Sequence, residues 1–282
     1  MRATGVDLET CLLCACDRYV TDSSGVTRTC TECSFSWTSR QAASPTDLYD
    51  ESYFSGGGYE DYFQPAARRF EASRRVSWLC SFATPATLVE AGSAGGFFVE
   101  AARRAGIDAQ GFELSTVAAA YARDTLGVPV HTAAFESAVV PGSCQAVCAF
   151  HVLEHVEDPR TFLDAARRAL EPGGTLALEV PNISSGAARR LGTRWRALQP
   201  EFHRWHFSPA TLTQLLVERG FEVVRQDTTA FRYYMPARFR RRQARHLFVA
   251  DVRDLRSIRL THRTRGDLLR TIARALPDAR IT

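Results

Sequence analysis

Five short apolar runs, each closed by a turn and most followed by a helix-forming stretch, constrain this chain more than any other feature. Thr87-Leu88-Val89-Glu90 ends in an acid and runs into Ala91-Gly92-Ser93-Ala94-Gly95-Gly96. Helical spacing follows to Ala105, with Phe97, Phe98 and Ala101 on one face and Glu100, Arg103 and Arg104 elsewhere. Gln110 to Leu114 reads as a second strand, and Ser115 as the N-cap of a helix over 116–125. Val128 to His131 and Gln145 to Phe150 read as the third and fourth strands. Asp158-Pro159 opens a helix to Leu170, Glu171-Pro172-Gly173-Gly174 makes a turn, and Thr175 to Val180 is a fifth strand closed by Pro181-Asn182. A helix from Ser208 to Arg219, Gly220 as its C-cap and a strand from Phe221 to Val224 follow. This alternation predicts an α/β fold with a parallel sheet covered on both faces.

The glycine-rich turn lies between the first strand and its helix. Glycine lets backbone approach a ligand closely, and the helix start offers free N–H groups. Glu113 follows Glu90 by 23 positions, at the end of the second strand. An acid there is placed to accept both hydroxyls of a ribose. Taken alone, the pattern also fits a dinucleotide-binding fold or a plain tight turn.

The 282 residues are 45% hydrophobic, enough for one large domain and a small module. The net charge of +4 implies no nucleic acid by itself. All 35 basic residues are arginine, which excludes a Schiff-base lysine and a phosphate-loop lysine. The first residues lack a basic cluster leading into an apolar run, and no apolar stretch approaches the roughly 20 residues needed to span a bilayer. A cytoplasmic protein without membrane association is expected. Composition separates residues 1–45, 46–234 and 235–282. From Pro236 onward there are 13 arginines against four aspartates, so the remainder is net negative.

In a reducing compartment, clustered cysteines read as metal ligands. Cys11-x₂-Cys14 and Cys30-x₂-Cys33 are 15 residues apart, the spacing of two knuckles closing a tetrahedral zinc site. Tyr19 to Thr21 and Val26 to Arg28 read as strands around a hairpin turn at Asp22 to Gly25. So small a module has too little core to fold without its metal. A closed four-thiolate site has no open position, so its role is structural. Cys16 is a spare thiol, and Cys80, Cys144 and Cys148 read as small buried hydrophobes.

Several segments together resemble class I S-adenosylmethionine-dependent methyltransferases. They are Glu90 to Gly96, Gly111-Phe-Glu-Leu-Ser115, Phe150-His-Val-Leu-Glu-His-Val-Glu-Asp-Pro159, Leu170 to Asn182, and His206-Phe-Ser-Pro ahead of Gly220-Phe-Glu-Val. Their order covers roughly residues 85 to 225. The resemblance implies a Rossmann-like seven-stranded, mostly parallel sheet with one antiparallel strand near its edge, beside a zinc-ribbon-like module. It implies S-adenosylmethionine as cofactor, held by Glu90, Gly92, Ser93, Ala94, Gly95, Glu113, Leu114, Phe135, Phe150 and His151. Within that set, Glu90, Gly92 and Gly95 surround the methionine part, Glu113 holds the ribose, and Phe135 lies near the adenine. Two departures stand out: Ala94 replaces the usual middle glycine, and the fourth strand starts at Cys144-Gln145, where an aspartate is common. The four-cysteine segment, the tyrosine lead-in and this domain together resemble bacterial methyltransferases of deoxysugar and specialised (antibiotic-type) metabolism.

A sulfonium methyl is already activated, so such an enzyme mainly positions a nucleophile and excludes water. A base is needed where the acceptor must lose a proton, and histidine is the natural choice. Four of the seven histidines fall in His151-Val-Leu-Glu154-His155 and His203-Arg-Trp-His206. His151, His155 and His203 are the candidate bases; a divalent-metal site and a purely structural Glu–His pair are the alternatives. Tyr53, Tyr59 and Tyr62, with His203 and His206, are candidate acceptor contacts, the tyrosines as a lid or as a packed helix. The run Arg238 to Arg245 reads as a solvated helix face or a phosphate grip. His246 to Asp251 reads as a last strand, and Asp267 to Leu276 as a terminal amphipathic helix. The expected partner is a small-molecule acceptor, with nucleic acid the lesser alternative and a homodimer the candidate assembly. Two rivals stay open: an RNA base methyltransferase using the arginine run, and a non-catalytic binding module.

Overall fold

The computed structural model of the protein describes residues 6–41, 65–230 and 266–277. The expected sheet is there. Strands β6 (Thr87–Ala91), β7 (Asp108–Glu113), β8 (Val130–Thr132), β9 (Cys144–Phe150), β10 (Leu170–Pro181), β12 (Phe221–Thr229) and β13 (Leu268–Ala275) form seven strands in the order β12-β13-β10-β9-β6-β7-β8. β13 runs antiparallel to both of its neighbours, and the other six strands share one direction. The chain order reverses between β6 and β9, which opens a crevice at the carboxyl ends of those strands.

Helices cover both faces. On one side lie α1 (Pro65–Cys80), α2 (Phe97–Arg104) and α3 (Thr116–Asp124), which bury Leu79, Phe98, Val99 and Ala119 against Leu88, Ala109 and Cys148. On the other lie α4 (Phe135–Ala138), α5 (Pro159–Ala169) and, after the short α6 (Gly186–Leu191), α7 (Pro209–Glu218). They bury Phe135, Phe162, Leu212 and Leu216 against Val89, Val147 and Leu178. The helix starts follow the local chemistry read from sequence. Ser115 accepts from Ala118 N, Asp158 accepts from Arg160 N with Pro159 in the first turn, and Ser208 forms a capping box with Thr211. Gly220 at φ +79° follows the last turn of α7.

Two expectations change. Leu268 to Ala275 is a strand, not a terminal amphipathic helix. Its arginines read as a wet face, but Arg270 is buried, packs over the Trp78 ring at 5.1 Å and donates from Nε to Asp227 Oδ1 at 2.7 Å. A strand buried on both faces leaves no alternation to read. The Glu171 to Gly174 turn is an irregular opening of β10, where the register with β9 shifts between Leu170 and Thr175 and Gly173 takes φ +76°. The lead-in with Tyr53, Tyr59 and Tyr62, the arginine run and the expected strand at His246 to Asp251 lie outside the described residues.

The N-terminal segment contains β1 (Val6–Asp7), β2 (Tyr19–Thr21), β3 (Thr27–Cys30), β4 (Ser36–Thr38) and β5 (Arg40–Gln41). Its main sheet has four strands, β11-β4-β3-β2, and β11 is Trp205–His206, from the connection between β10 and α7. Phe35 stacks on Trp205 at 6.0 Å and meets Phe207 at 5.7 Å, so one apolar core runs from the cysteine segment to β10. Among the described residues, no helix is long and apolar enough to cross a membrane.

Candidate active site

The glycine-rich turn carries the backbone shapes that only small residues tolerate. Gly92 takes φ +66°, and a Cβ there would sit 2.5 Å from Val152 Cγ2. Ala94 takes φ +46°, a left-handed conformation that costs a non-glycine residue about 1–2 kcal/mol. That position is the departure noted in the sequence, and the backbone keeps a glycine-like shape there. Gly96 opens α2 at φ +78°, pressed against Ala122.

Two acids frame this turn. Glu113 closes β7, where its Oε2 accepts from Ala94 N at 2.7 Å and its Oε1 from Ser115 N at 2.8 Å. Burial pushes the carboxyl up, while those N–H groups pull it back. The carboxylate is therefore fixed in place with lone pairs to spare for hydroxyl donors. Glu90 closes the first half of the rim and is buried, and its Oε2 has no hydrogen-bond partner among the described residues. Burial pushes it well above the usual carboxylate range. A buried acceptor of this kind calls for a donor, and a bound cofactor's cationic or N–H group would supply one. Leu114 is 42% exposed beside Glu113, an open apolar surface for a flat ring. Phe135 is turned into the core between Phe112 and Phe162, at 6.0 and 5.3 Å. Phe150 packs edge-on to Phe98 at 4.7 Å. Ser93 is buried, with its N–H on Phe112 O at 3.0 Å.

The rim past β9 holds a chain of alternating charges. Glu71 and Glu179 both accept from Arg75, at 2.8 and 2.7 Å. Glu179 Oε1 lies 3.4 Å from His151 Nε2, and His151 Nδ1 lies 3.2 Å from Glu154 Oε1. Burial pulls His151 down, but the two carboxylates outweigh it and hold its pKa up at about 9. His151 is therefore a cation at neutral pH and has no lone pair for a proton. Arg75, Glu71 and Glu179 were not singled out in the sequence. An arginine in a helix and an acid in an apolar strand carry no local signal of their pairing.

His155 and His203 behave in the opposite way. Their rings meet edge to face at 4.6 Å. Burial depresses both pKa values, His203 well below the ordinary histidine range, so both are neutral. His155 Nδ1 donates to Phe202 O at 3.1 Å, and His203 Nδ1 donates to Ala197 O at 2.9 Å. Those carbonyls fix the tautomer and leave each ring's lone pair on Nε2. His206 stands apart: its Nε2 donates to Thr38 Oγ1 at 3.1 Å, because the Thr38 hydroxyl gives its one proton to His203 O. The structure thus brings His151, Glu154, His155 and His203 together and turns His206 toward the cysteine segment.

In that segment, Cys11, Cys14, Cys30 and Cys33 hold their sulfurs within 4.8 Å of one another and form no disulfide. Each pair is followed by a left-handed residue, Ala15 at φ +58° and Ser34 at φ +62°, which closes matching knuckles. Ala15 N donates to Cys11 O and Ser34 N to Cys30 O, at 2.8 and 3.1 Å. Burial pushes Cys11 up to about 11 and raises Cys33 as well, whereas at Cys14 burial is outweighed by hydrogen bonds from the Cys16 main chain and the neighbouring thiols, which lower the thiol. A divalent ion would favour the thiolate form and fits the four donors. Cys16 sits outside the cluster, and its sulfur accepts from Arg18 N.

An open sheet of six parallel strands and one antiparallel strand, with a glycine turn and two acids at its carboxyl rim, defines a nucleotide-cofactor-binding α/β domain. A family profile described as "Methyltransferase domain" matches residues 66–226, more than half of the chain. The chain belongs to that family of methyltransferase domains. The Ubiquinone biosynthesis O-methyltransferase of Psychrobacter arcticus is 30% identical over 164 residues, covering 52% of this chain and 62% of that protein. A probable S-adenosylmethionine-dependent methyltransferase of Mycolicibacterium smegmatis is 32% identical over 147 residues, 50% of this chain and 53% of its own. The chain thus spans somewhat over half the length of these relatives. The Burkholderia thailandensis 1,6-didemethyltoxoflavin-N1-methyltransferase, solved with 1,6-didemethyltoxoflavin and S-adenosylhomocysteine, superposes with a TM-score of 0.54 at 18% identity, over 83% of this chain and 87% of that one. A Thermotoga maritima methyltransferase, described as a possible histamine N-methyltransferase, gives 0.55 at 21%, over 77% and 94%. At these identities the solved structures share the fold.

Proposed function

We propose that this chain transfers a methyl group from S-adenosylmethionine to a small-molecule acceptor, at an oxygen or an activated carbon. Bound at the glycine turn, the cofactor supplies an electrophilic methyl group on a sulfonium. Gly92, Ala94 and Gly95 give it backbone access, Glu113 takes the ribose hydroxyls, Glu90 receives its donor, and Leu114 faces the ring. The observation that carries the acceptor side is the neutral pair His155 and His203, 4.6 Å apart at the same rim. These two residues promote loss of the acceptor's proton, and His151, held as a cation, is a positioning residue. The four cysteines hold a structural zinc. The small-molecule reading is supported by the names of the relatives.

Calorimetric titration with S-adenosylmethionine tests the cofactor, and absence of binding sinks the reading. His155→Ala and His203→Ala are each expected to keep that affinity within about threefold and to lose at least 100-fold in turnover, the low end of general-base effects. Full activity in both variants would remove the histidines from the chemistry.

A further inference from the structure

The large sheet is left open at its β8 edge on the side of α4. That helix is a single turn, Phe135–Ala138, and His131 and Thr132 of β8 stay exposed. A cavity of about 570 Å³ lies there, walled by β7, β8 and the chain from Ala138 to Ser143. Its volume is that of a small-molecule pocket. His131 stacks on Phe112 at 5.0 Å with 29° between the planes, and its Nε2 donates to Gln110 Oε1 at 2.8 Å. An exposed imidazole held by two neighbours has given up rotamer freedom without gaining burial. On the other wall, Val140 is 64% exposed. Three polar side chains of the lining have bonding capacity to spare. Arg123 Nη1 donates to Val130 O and Thr132 Oγ1, at 2.8 and 3.0 Å, while its Nε and Nη2 have no protein partner among the described residues. The Gln110 amide N–H groups and His131 Nδ1 are likewise left to solvent. None of the lining residues is an acid.

We propose that this cavity binds a planar aromatic carboxylate, at a site separate from the cofactor crevice. The ring lies between the His131–Phe112 stack and the Val139 and Val140 side chains, a slot suited to a flat apolar body. The carboxylate meets the unused donors of Arg123, whose rigid fork matches two oxygens at once. With an arginine and no acid in the lining, the charge of the site selects an acid over an amine. The cavity runs along the strands from Thr132 back to Ser143, which precedes β9, whereas the glycine turn lies at the carboxyl rim. The two sites share β7: Phe112 floors the cavity, and Glu113, the next residue, frames the turn.

The test titrates the full chain by calorimetry with 2-naphthoate and with 2-naphthamide, which has the same rings and no charge. One equivalent of naphthoate is expected to bind, with a Kd of about 1 mM or tighter, as a ligand of this size allows. The amide should bind at least tenfold more weakly. Arg123→Gln should weaken naphthoate at least tenfold, through the lost charge-assisted hydrogen bonds, and His131→Ala at least threefold, through the lost ring contact. Both variants should melt as the wild type does and keep its S-adenosylmethionine affinity. His203→Ala, in the crevice, should bind naphthoate like the wild type. The site is overturned if binding does not saturate in the millimolar range, if the amide binds as tightly as the acid, or if Arg123→Gln and His131→Ala both bind naphthoate unchanged. It is equally overturned if His203→Ala abolishes binding, which would place the ligand in the crevice.

Discussion

At the scale of single residues, the rim is built from conformations and protonation states that chain neighbours impose. Gly92 has no room for a side chain, because its Cβ would strike Val152 Cγ2, and its φ of +66° is left-handed. Gly92→Ala should therefore cost about 1–2 kcal/mol in stability and at least tenfold in cofactor affinity. Melting and calorimetry together check this, and an unchanged affinity would take the turn out of the cofactor site. Of the individual side chains, Glu90, Glu113 and the glycines were legible, because a strand end followed by a glycine turn is a local pattern. The histidine pair was legible as a cluster but not in its roles. His151 and His155 are four residues apart in one motif, yet one is held charged by Glu154 and Glu179 and the other is left neutral by burial. Glu154 belongs to the motif, but Glu179 on β10 and the Phe202 carbonyl that holds His155 do not.

Among the elements, β11 is the most consequential and the least visible. It has two residues, Trp205 and His206, too short for any periodicity to show. It pairs antiparallel with β4, Trp205 opposite Trp37 and His206 opposite Ser36. Thr38 N donates to Arg204 O at 3.0 Å, and Thr38 Oγ1 to His203 O at 2.5 Å. The cysteine segment thereby grips the strand that follows His203. Thr38→Val keeps the volume and removes the hydroxyl. It should cost about 1–3 kcal/mol, the penalty for leaving a buried acceptor and His206 without their partner. Turnover should fall with it while S-adenosylmethionine affinity holds, since the glycine turn lies between β6 and α2 and Glu113 on β7. Equal losses in kcat and in cofactor binding would mean that the segment supports the whole fold and not this loop. The long, well-capped helices and the parallel strands were readable from their ends and their spacing. β13 was not, because a buried Arg270–Asp227 pair looks like surface in a sequence.

For the molecule as a whole, burial of histidines ties stability to acid. His206 is buried and neutral, its pKa pulled down to about 4 by desolvation, against about 6.5 in the unfolded chain. Above pH 6.5 both states are uncharged and the folded state loses nothing. As pH falls from 6.5 toward 4 the unfolded chain takes the proton first, so stability declines, by up to about 3 kcal/mol from this group. Urea titrations between pH 7.5 and 4.5 should show that slope, and His206→Gln should make it shallower, the remainder coming from His155 and His203, which burial also depresses. An identical slope in the variant would assign the acid sensitivity elsewhere.

The β4–β11 pairing also sets a timetable. Thr38 and His206 are bonded across 168 positions of chain. At roughly 5–20 residues per second of synthesis, the cysteine segment leaves the ribosome about 10–30 s before its fourth strand exists. Tyr19 can already pack on Trp37, but Phe35 lacks its ring partners until Trp205 and Phe207 arrive. During that interval the nascent chain displays an aromatic surface that only its own later sequence can close. Slow translation ahead of residue 205, or a stall there, would prolong that exposure.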